Sequence, residues 1–162
     1  MANKKARPAK AARSLVVDVA TQTLRVMDGR KVAAQFPVST SKFGLGFQEG
    51  SYKTPTGKFR IARKIGGSAP PWTIFRARKN TGRKARPGGE EDLVLTRILT
   101  LDGLERQNAN SLARYIYIHG TNQEHLIGTP ASHGCVRLRN ADMISLHRMV
   151  RAGTPVRILS PA

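Results

Sequence analysis

The sequence predicts a mainly β domain with one convincing helix, and three observations carry that reading. Apolar and polar residues alternate with a period of two through Leu15, Val17 and Val19, through Leu24 and Val26, and again at Phe59 and Ile61. Turn-forming glycines, prolines and asparagines punctuate these runs, and Asp28-Gly29 is the strongest hairpin signal among them. A helical apolar stripe is clear only at Met143, Ile144, Leu146 and Val150.

Taken in order, residues 1–13 are rich in Lys, Arg, Ala and Pro and are expected to form a basic flexible tail ahead of a single domain over 14–162. Strands are expected from Ser14, after the Asp28-Gly29 turn, and from Lys31 to Val38, ending in Ser39-Thr40-Ser41. Residues 41–57, with four glycines and Pro55, read as a long loop. Residues 66–92 read as a second irregular stretch carrying Arg76, Arg78, Lys79, Arg83, Lys84 and Arg86. That basic loop is read first as a solvated charge run, with a flap gripping an anionic substrate and a polyanion-binding arm as the other readings. Leu93 to Leu101 and Tyr115 to His119 are β-branched or aromatic in character and resume the strands. A short helix is expected near Glu124 to Ile127. Asn140 is the expected cap of the main helix, Gly153 lies just past its end, and Pro155 to Leu159 forms the last strand.

The 28 Lys and Arg against 10 Asp and Glu give a net charge of +18. Such a surface attracts polyanions, whether nucleic acid, acidic glycan or anionic lipid. The basic N-terminus is not followed by the unbroken apolar run of a secretion signal, because Leu15-Val16-Val17 meets Asp18 at once. A cytoplasmic location is therefore expected, or a periplasmic one if a leader has been removed. No segment is long enough to span a bilayer, so no membrane insertion is expected.

There is a single cysteine, Cys135, which excludes an internal disulfide. It follows Ser132-His133-Gly134, sixteen positions after His119 at the end of the Tyr115–His119 run. Strand alternation puts Tyr115, Tyr117 and His119 on one face, and Gly128 and Pro130 let the chain turn back to bring Cys135 beside them. An adjacent imidazole can take the thiol proton, stabilise the thiolate and later protonate a leaving amine. Gly134 permits a tight turn, and the amides of Gly134 and Cys135 are candidate oxyanion donors. Arg137 is a candidate for holding a substrate carboxylate, or equally a structural ion-pair partner.

His119-Gly120-Thr121-Asn122, followed by Ser132-His133-Gly134-Cys135-Val136-Arg137-Leu138, resembles the signature of the YkuD-type L,D-transpeptidase catalytic domain. Ser14 to Val38, Thr54-Pro55-Thr56-Gly57 and Asp102-Gly103-Leu104-Glu105 are similar to further segments of that family. The resemblance implies a β-sandwich-like fold with one or two short helices and long loops. It implies that Cys135 attacks the carbonyl at the L-centre of the diamino acid in a peptidoglycan stem tetrapeptide, releasing terminal D-alanine. Water as acceptor would make an L,D-carboxypeptidase of muropeptide recycling, the outcome favoured for short, leaderless relatives; an amine would make a transpeptidase. By position, His119 matches the base, Gly120 its orienting carbonyl and His133 the second active-site histidine. Ser132, Gly134, Arg137 and Thr121 fill the rest of the motif, Ser132, Arg137 and Thr121 as substrate-contacting candidates. No cofactor is implied, and acylation by carbapenems is expected.

The competing readings are a buried inert thiol, a zinc site and a nucleic-acid-binding module. Zinc is disfavoured because His119, His125, His133 and Cys135 match no common ligand spacing. A noncatalytic polyanion-binding module would explain the charge, yet the aromatics are not interleaved with the basic run, so no obligatory nucleic acid is expected. His125 and His147 are read as bystanders.

Overall fold

The computed structural model describes residues 13–162, so all but the last residue of the basic N-terminal stretch lies outside it. Strand β1 (Arg13–Asp18) pairs antiparallel with β2 (Thr23–Asp28), placing Leu15 opposite Val26 and Val17 opposite Leu24. All four are fully buried, each contributing about 1.5–3 kcal/mol from burial. The expected hairpin follows: Gly29, at φ 60°, and Arg30 join β2 to β3 (Lys31–Pro37), which leaves Val32 exposed at the sheet edge.

The sheet continues through β10 (Pro155–Leu159), parallel to β1, and β4 (Gly57–Ile65) to β7 (Val94–Gly103). β7 is the hub. Leu99 pairs with Lys64 on one edge and Ile118 on the other, and Leu95 likewise with Ile74 and Gly120. Thus β4 and β5 (Thr73–Arg76) share one edge of β7 while β8 (Tyr117–Gly120) takes the other. β6 (Lys79–Lys84) extends β5, and β9 (Val136–Leu138) lies parallel to β8. Among the described residues, all ten strands form one mixed sheet.

Alternation along β7 and β8 builds two apolar clusters. Leu99, Leu101 and Ile118 join the residues of β1, β2, β4 and β10, together with Met143 and Leu146 of helix α1 (Asn140–Met149), in the main core. Ile98 and Tyr117 point the other way, into a smaller cluster with Phe75 and Ala69, against which Cys135 packs. Among the described residues the expected mainly β class is observed, with one α-helix, the 3-10 turn at Glu124–Leu126 and a further one at Arg106–Asn108.

Four local expectations are corrected. The stretch 66–92 is not irregular throughout, since it contains the β5–β6 hairpin. Tyr115 is outside β8, at φ 58° and exposed, so it does not continue the face of Tyr117 and His119. Arg139 occupies the cap position of α1; Asn140 is its first residue and bonds elsewhere. Helix α1 ends at Met149, and Gly153 (φ 89°) serves the turn into β10 instead.

Candidate active site

In the parallel ladder His119 faces Arg137 and Ile118 faces Val136, so Cys135, just ahead of β9, lies beside Tyr117. The Tyr117 amide donates to Cys135 Sγ at 3.3 Å, and the thiol donates to the Tyr115 carbonyl at 3.3 Å. The turn carrying the thiol is fastened from three sides. Ser132 Oγ donates to the Cys135 carbonyl (2.7 Å) and accepts from the Gly134 amide (3.2 Å), while Thr54 Oγ1 donates to the Gly134 carbonyl (3.0 Å). Gly134 sits at φ 122°, a region open to glycine alone, with the Lys53 carbonyl 3.3 Å from where a Cβ would stand.

His119 is buried, and its Nδ1 lies 2.6 Å from the Gly120 carbonyl. A carbonyl only accepts, so Nδ1 carries the proton and Nε2 offers its lone pair. Gly120 has no room for a side chain: a Cβ would collide with Asn140 Oδ1 and the Leu95 carbonyl. Asn140 in turn donates to the Thr121 carbonyl (2.8 Å) and accepts from Thr96 Oγ1 (2.5 Å). Thr96, at φ 75°, lies where the β7–β8 register shifts. Glu124 Oε2 takes the Asn140 amide at 2.7 Å, putting a carboxylate on the N-terminus of α1.

Asp92 joins the site from the loop before β7. Its Oδ2 is 2.9 Å from His133 Nδ1, and its Oδ1 3.1 Å from Arg137 Nη1. Asn122 holds that loop by donating to the carbonyls of Gly88 (2.7 Å) and Glu91 (3.0 Å). Burial favours the neutral Asp92 carboxyl, but His119 and Arg137, with hydrogen bonds from His133 and Arg137, bring it below the usual carboxylate range. It is ionised at neutral pH. His133 also meets the exposed rings of Phe43 and Tyr52, at 5.8 and 5.7 Å between centroids, at the rim above the turn.

Burial dominates the electrostatics of the central pair. It pushes the Cys135 thiol up to about 12, with the Asp92 charge adding, against the Tyr117 amide, Arg137 and Arg114. Burial also lowers His119, and Arg137 lowers it further, against Asp92 and the Gly120 bond. At neutral pH the resting state is therefore neutral thiol and neutral imidazole, in which proton transfer must accompany attack.

Cys135, His119, Gly120, His133, Gly134 and Ser132 come together here. Arg137 does not reach the surface: it is fully buried and held by Asp92 and by Gln123 Oε1 at 2.8 Å. Its structural reading applies. Thr121 is also buried, its hydroxyl accepting from the Gln123 amide (3.0 Å), and Ser132 is buried under the turn. Neither presents a substrate contact. Because the Gly134 amide is engaged by Ser132, it is not free as an oxyanion donor. Sequence reasoning misses Asp92, for which no spacing signal exists, and the clamp by Thr54, although Thr54 opens the family-like segment Thr54-Pro55-Thr56-Gly57.

The fold and this site define a mixed-sheet domain built around a thiol and an imidazole on neighbouring β-segments. The L,D-transpeptidase catalytic domain (YkuD) profile matches residues 12–158, and the chain belongs to this family. It is 27% identical over 145 residues to YkuD of Bacillus subtilis, covering 89% of this chain and 64% of that protein. An L,D-transpeptidase from Mycobacterium smegmatis superposes with a TM-score of 0.62 at 20% identity, over 93% of this chain and 59% of that one. LdtMt1 in complex with imipenem gives 0.58 at 20% identity, over 91% and 59%. The chain thus spans less than two thirds of each relative.

Proposed function

We propose that this chain transfers the acyl group of a peptidoglycan stem tetrapeptide through a thioester on Cys135. His119 Nε2 takes the thiol proton as Sγ attacks the carbonyl at the L-centre of the diamino acid. With the Gly134 amide engaged, the Cys135 amide is the remaining candidate donor to the oxyanion. As the tetrahedral species collapses, the imidazolium returns the proton to the departing amine, D-alanine leaves, and the thioester remains. Water or an amine, deprotonated by the same imidazole, then attacks the thioester and regenerates the thiol. Membership of the family supports peptidoglycan transpeptidase or carboxypeptidase chemistry in general.

One observation carries the reading. Cys135 Sγ is held against the strand that bears His119, whose Nδ1 is fixed on the Gly120 carbonyl so that Nε2 keeps the free lone pair of a base. The burial of Arg137 against Asp92 supports a rigid turn rather than a mobile thiol.

The test is turnover of a free tetrapeptide, with and without an added D-amino acid. Tripeptide alone marks water as acceptor, and an exchanged tetrapeptide marks an amine. Cys135→Ala is expected to remove both products while leaving thermal unfolding unchanged; a variant that keeps full turnover rules the thioester out. Salt-dependent nucleic-acid binding unaltered by Cys135→Ala, together with no turnover by the natural sequence, would favour the polyanion-binding reading.

A further inference from the structure

Three arginines lie within electrostatic reach of Cys135 or of the tyrosine beside it. Two are already engaged through their terminal nitrogens, although Arg137 Nε is buried without a partner. Arg137 is held by Asp92 and Gln123, and Arg114 donates to the carbonyls of Lys53 (2.8 Å) and Gly46 (3.4 Å) and to Ser51 Oγ (3.4 Å). Arg78 is different. It is exposed and, among the described residues, makes no ion pair or side-chain hydrogen bond.

Arg78 stands at the tip of the β5–β6 hairpin, where Arg76 pairs with Lys79 across the two-residue turn Ala77-Arg78. Both turn residues have left-handed backbone, φ 47° and 65°, a conformation that usually selects Asn-Gly. The strained turn is anchored beside the nucleophile, since Phe75 packs in one cluster with Tyr117 and Cys135. In that cluster the Tyr117 hydroxyl is buried and has no hydrogen-bond partner, although the residue is only 6% exposed. Burial raises the Tyr117 phenol, and the Arg78 charge acts on it in the opposite sense. An unpartnered hydroxyl donor packed with the nucleophile, and an uncommitted guanidinium at the tip of the hairpin that packs on the same cluster, are the elements of a carboxylate site.

We propose that Arg78 and Tyr117 bind the C-terminal carboxylate of the stem peptide, that of the residue that leaves. This rests on the function proposed above. When Sγ meets the scissile carbonyl, only one nitrogen and one α-carbon separate the attacked carbon from that carboxylate, so it lies next to the thiol. The pair would make the site selective for a free chain end, because a neutral or continued end leaves the buried hydroxyl and the guanidinium without their charged partner.

The experiment compares a tetrapeptide bearing a C-terminal carboxylate with the same peptide as its carboxamide. The natural sequence should show a KM about 10- to 100-fold higher for the carboxamide. Arg78→Gln should raise KM for the acid by a similar factor, leave kcat nearly unchanged, and have no effect on the carboxamide. Tyr117→Phe should show the same pattern more weakly. Arg78→Gly, which relieves the positive φ, should raise the unfolding temperature and still raise KM for the acid, separating binding from folding. Arg78→Gln that alters both peptides equally, or neither, overturns the proposal while the thioester chemistry stands. If the natural sequence turns over neither peptide, the functional reading fails and this one fails with it.

Discussion

Asp92 holds His133 and Arg137 with its two oxygens at once, 2.9 Å from one and 3.1 Å from the other, tying the turn before Cys135 to the strand after it. Arg137 is fully buried, so removing its counter-charge strands a cation. Asp92→Ala should cost about 3 kcal/mol of stability, near the low end for a broken buried pair because Asp92 keeps some exposure. Adding Arg137→Met should recover much of the loss. Urea unfolding midpoints at constant slope measure both.

The neutral resting pair fixes the pH dependence of acylation. Burial holds His119 below its ordinary value of about 6.5, so the base stays unprotonated, and the rate should hold, to pH values under that point. The Cys135 thiol, at about 12, gives no alkaline fall through the neutral range. The acylation rate against pH should therefore be a plateau with one acid limb. A bell with both limbs near neutrality would indicate a thiolate–imidazolium pair instead. His119→Gln should lower the plateau by about 10²- to 10⁴-fold, the usual worth of a general base.

Folding stability carries a related signature. His147 in α1 is held at about 4 by burial, with Lys64 and Arg97 opposing its charge, and its Nε2 is buried without a partner. A histidine depressed in the folded state binds protons more readily when unfolded. Its protonation therefore lowers stability as pH falls below about 6.5, until the folded value near 4 is reached. His119 acts in the same direction. The unfolding temperature should drop across that window, and His147→Leu should flatten the drop.

Gly120 and Gly134 exclude side chains for different reasons. Gly120 lacks space, with Asn140 Oδ1 and the Leu95 carbonyl in the way, whereas Gly134 has a backbone only glycine adopts readily. Gly120→Ala should destabilise by about 1–3 kcal/mol by overpacking and shift the His119 ring, lowering kcat together with the unfolding temperature. Calorimetry and steady-state rates on one preparation check the two effects.

The parts of this molecule legible in the sequence are those where one face is apolar and the turn chemistry is conventional. Leu15, Val17, Leu24 and Val26 alternate cleanly around Asp28-Gly29, and β1 and β2 follow. The β5–β6 hairpin was hidden because Lys79–Lys84 has no apolar face and its turn is Ala-Arg. Cys135 and His119 were legible through their motif, but Asp92 was not, because a carboxylate in a loop far along the chain has no periodicity. Its placement depends on Asn122, whose amide gathers residues 88–93 onto the end of β8. The sequence leaves both readings of Arg137 open, substrate grip or structural ion pair, because strand alternation gives a side chain's face without saying which face is covered.

The most direct test of the central claim is the intact mass of the protein after mixing with imipenem, followed by peptide mapping. A sulfur activated by His119 predicts one covalent adduct per chain on the peptide containing Cys135, absent from Cys135→Ala and formed far more slowly in His119→Gln. Unmodified natural protein under those conditions, or an adduct that persists in Cys135→Ala, would contradict it.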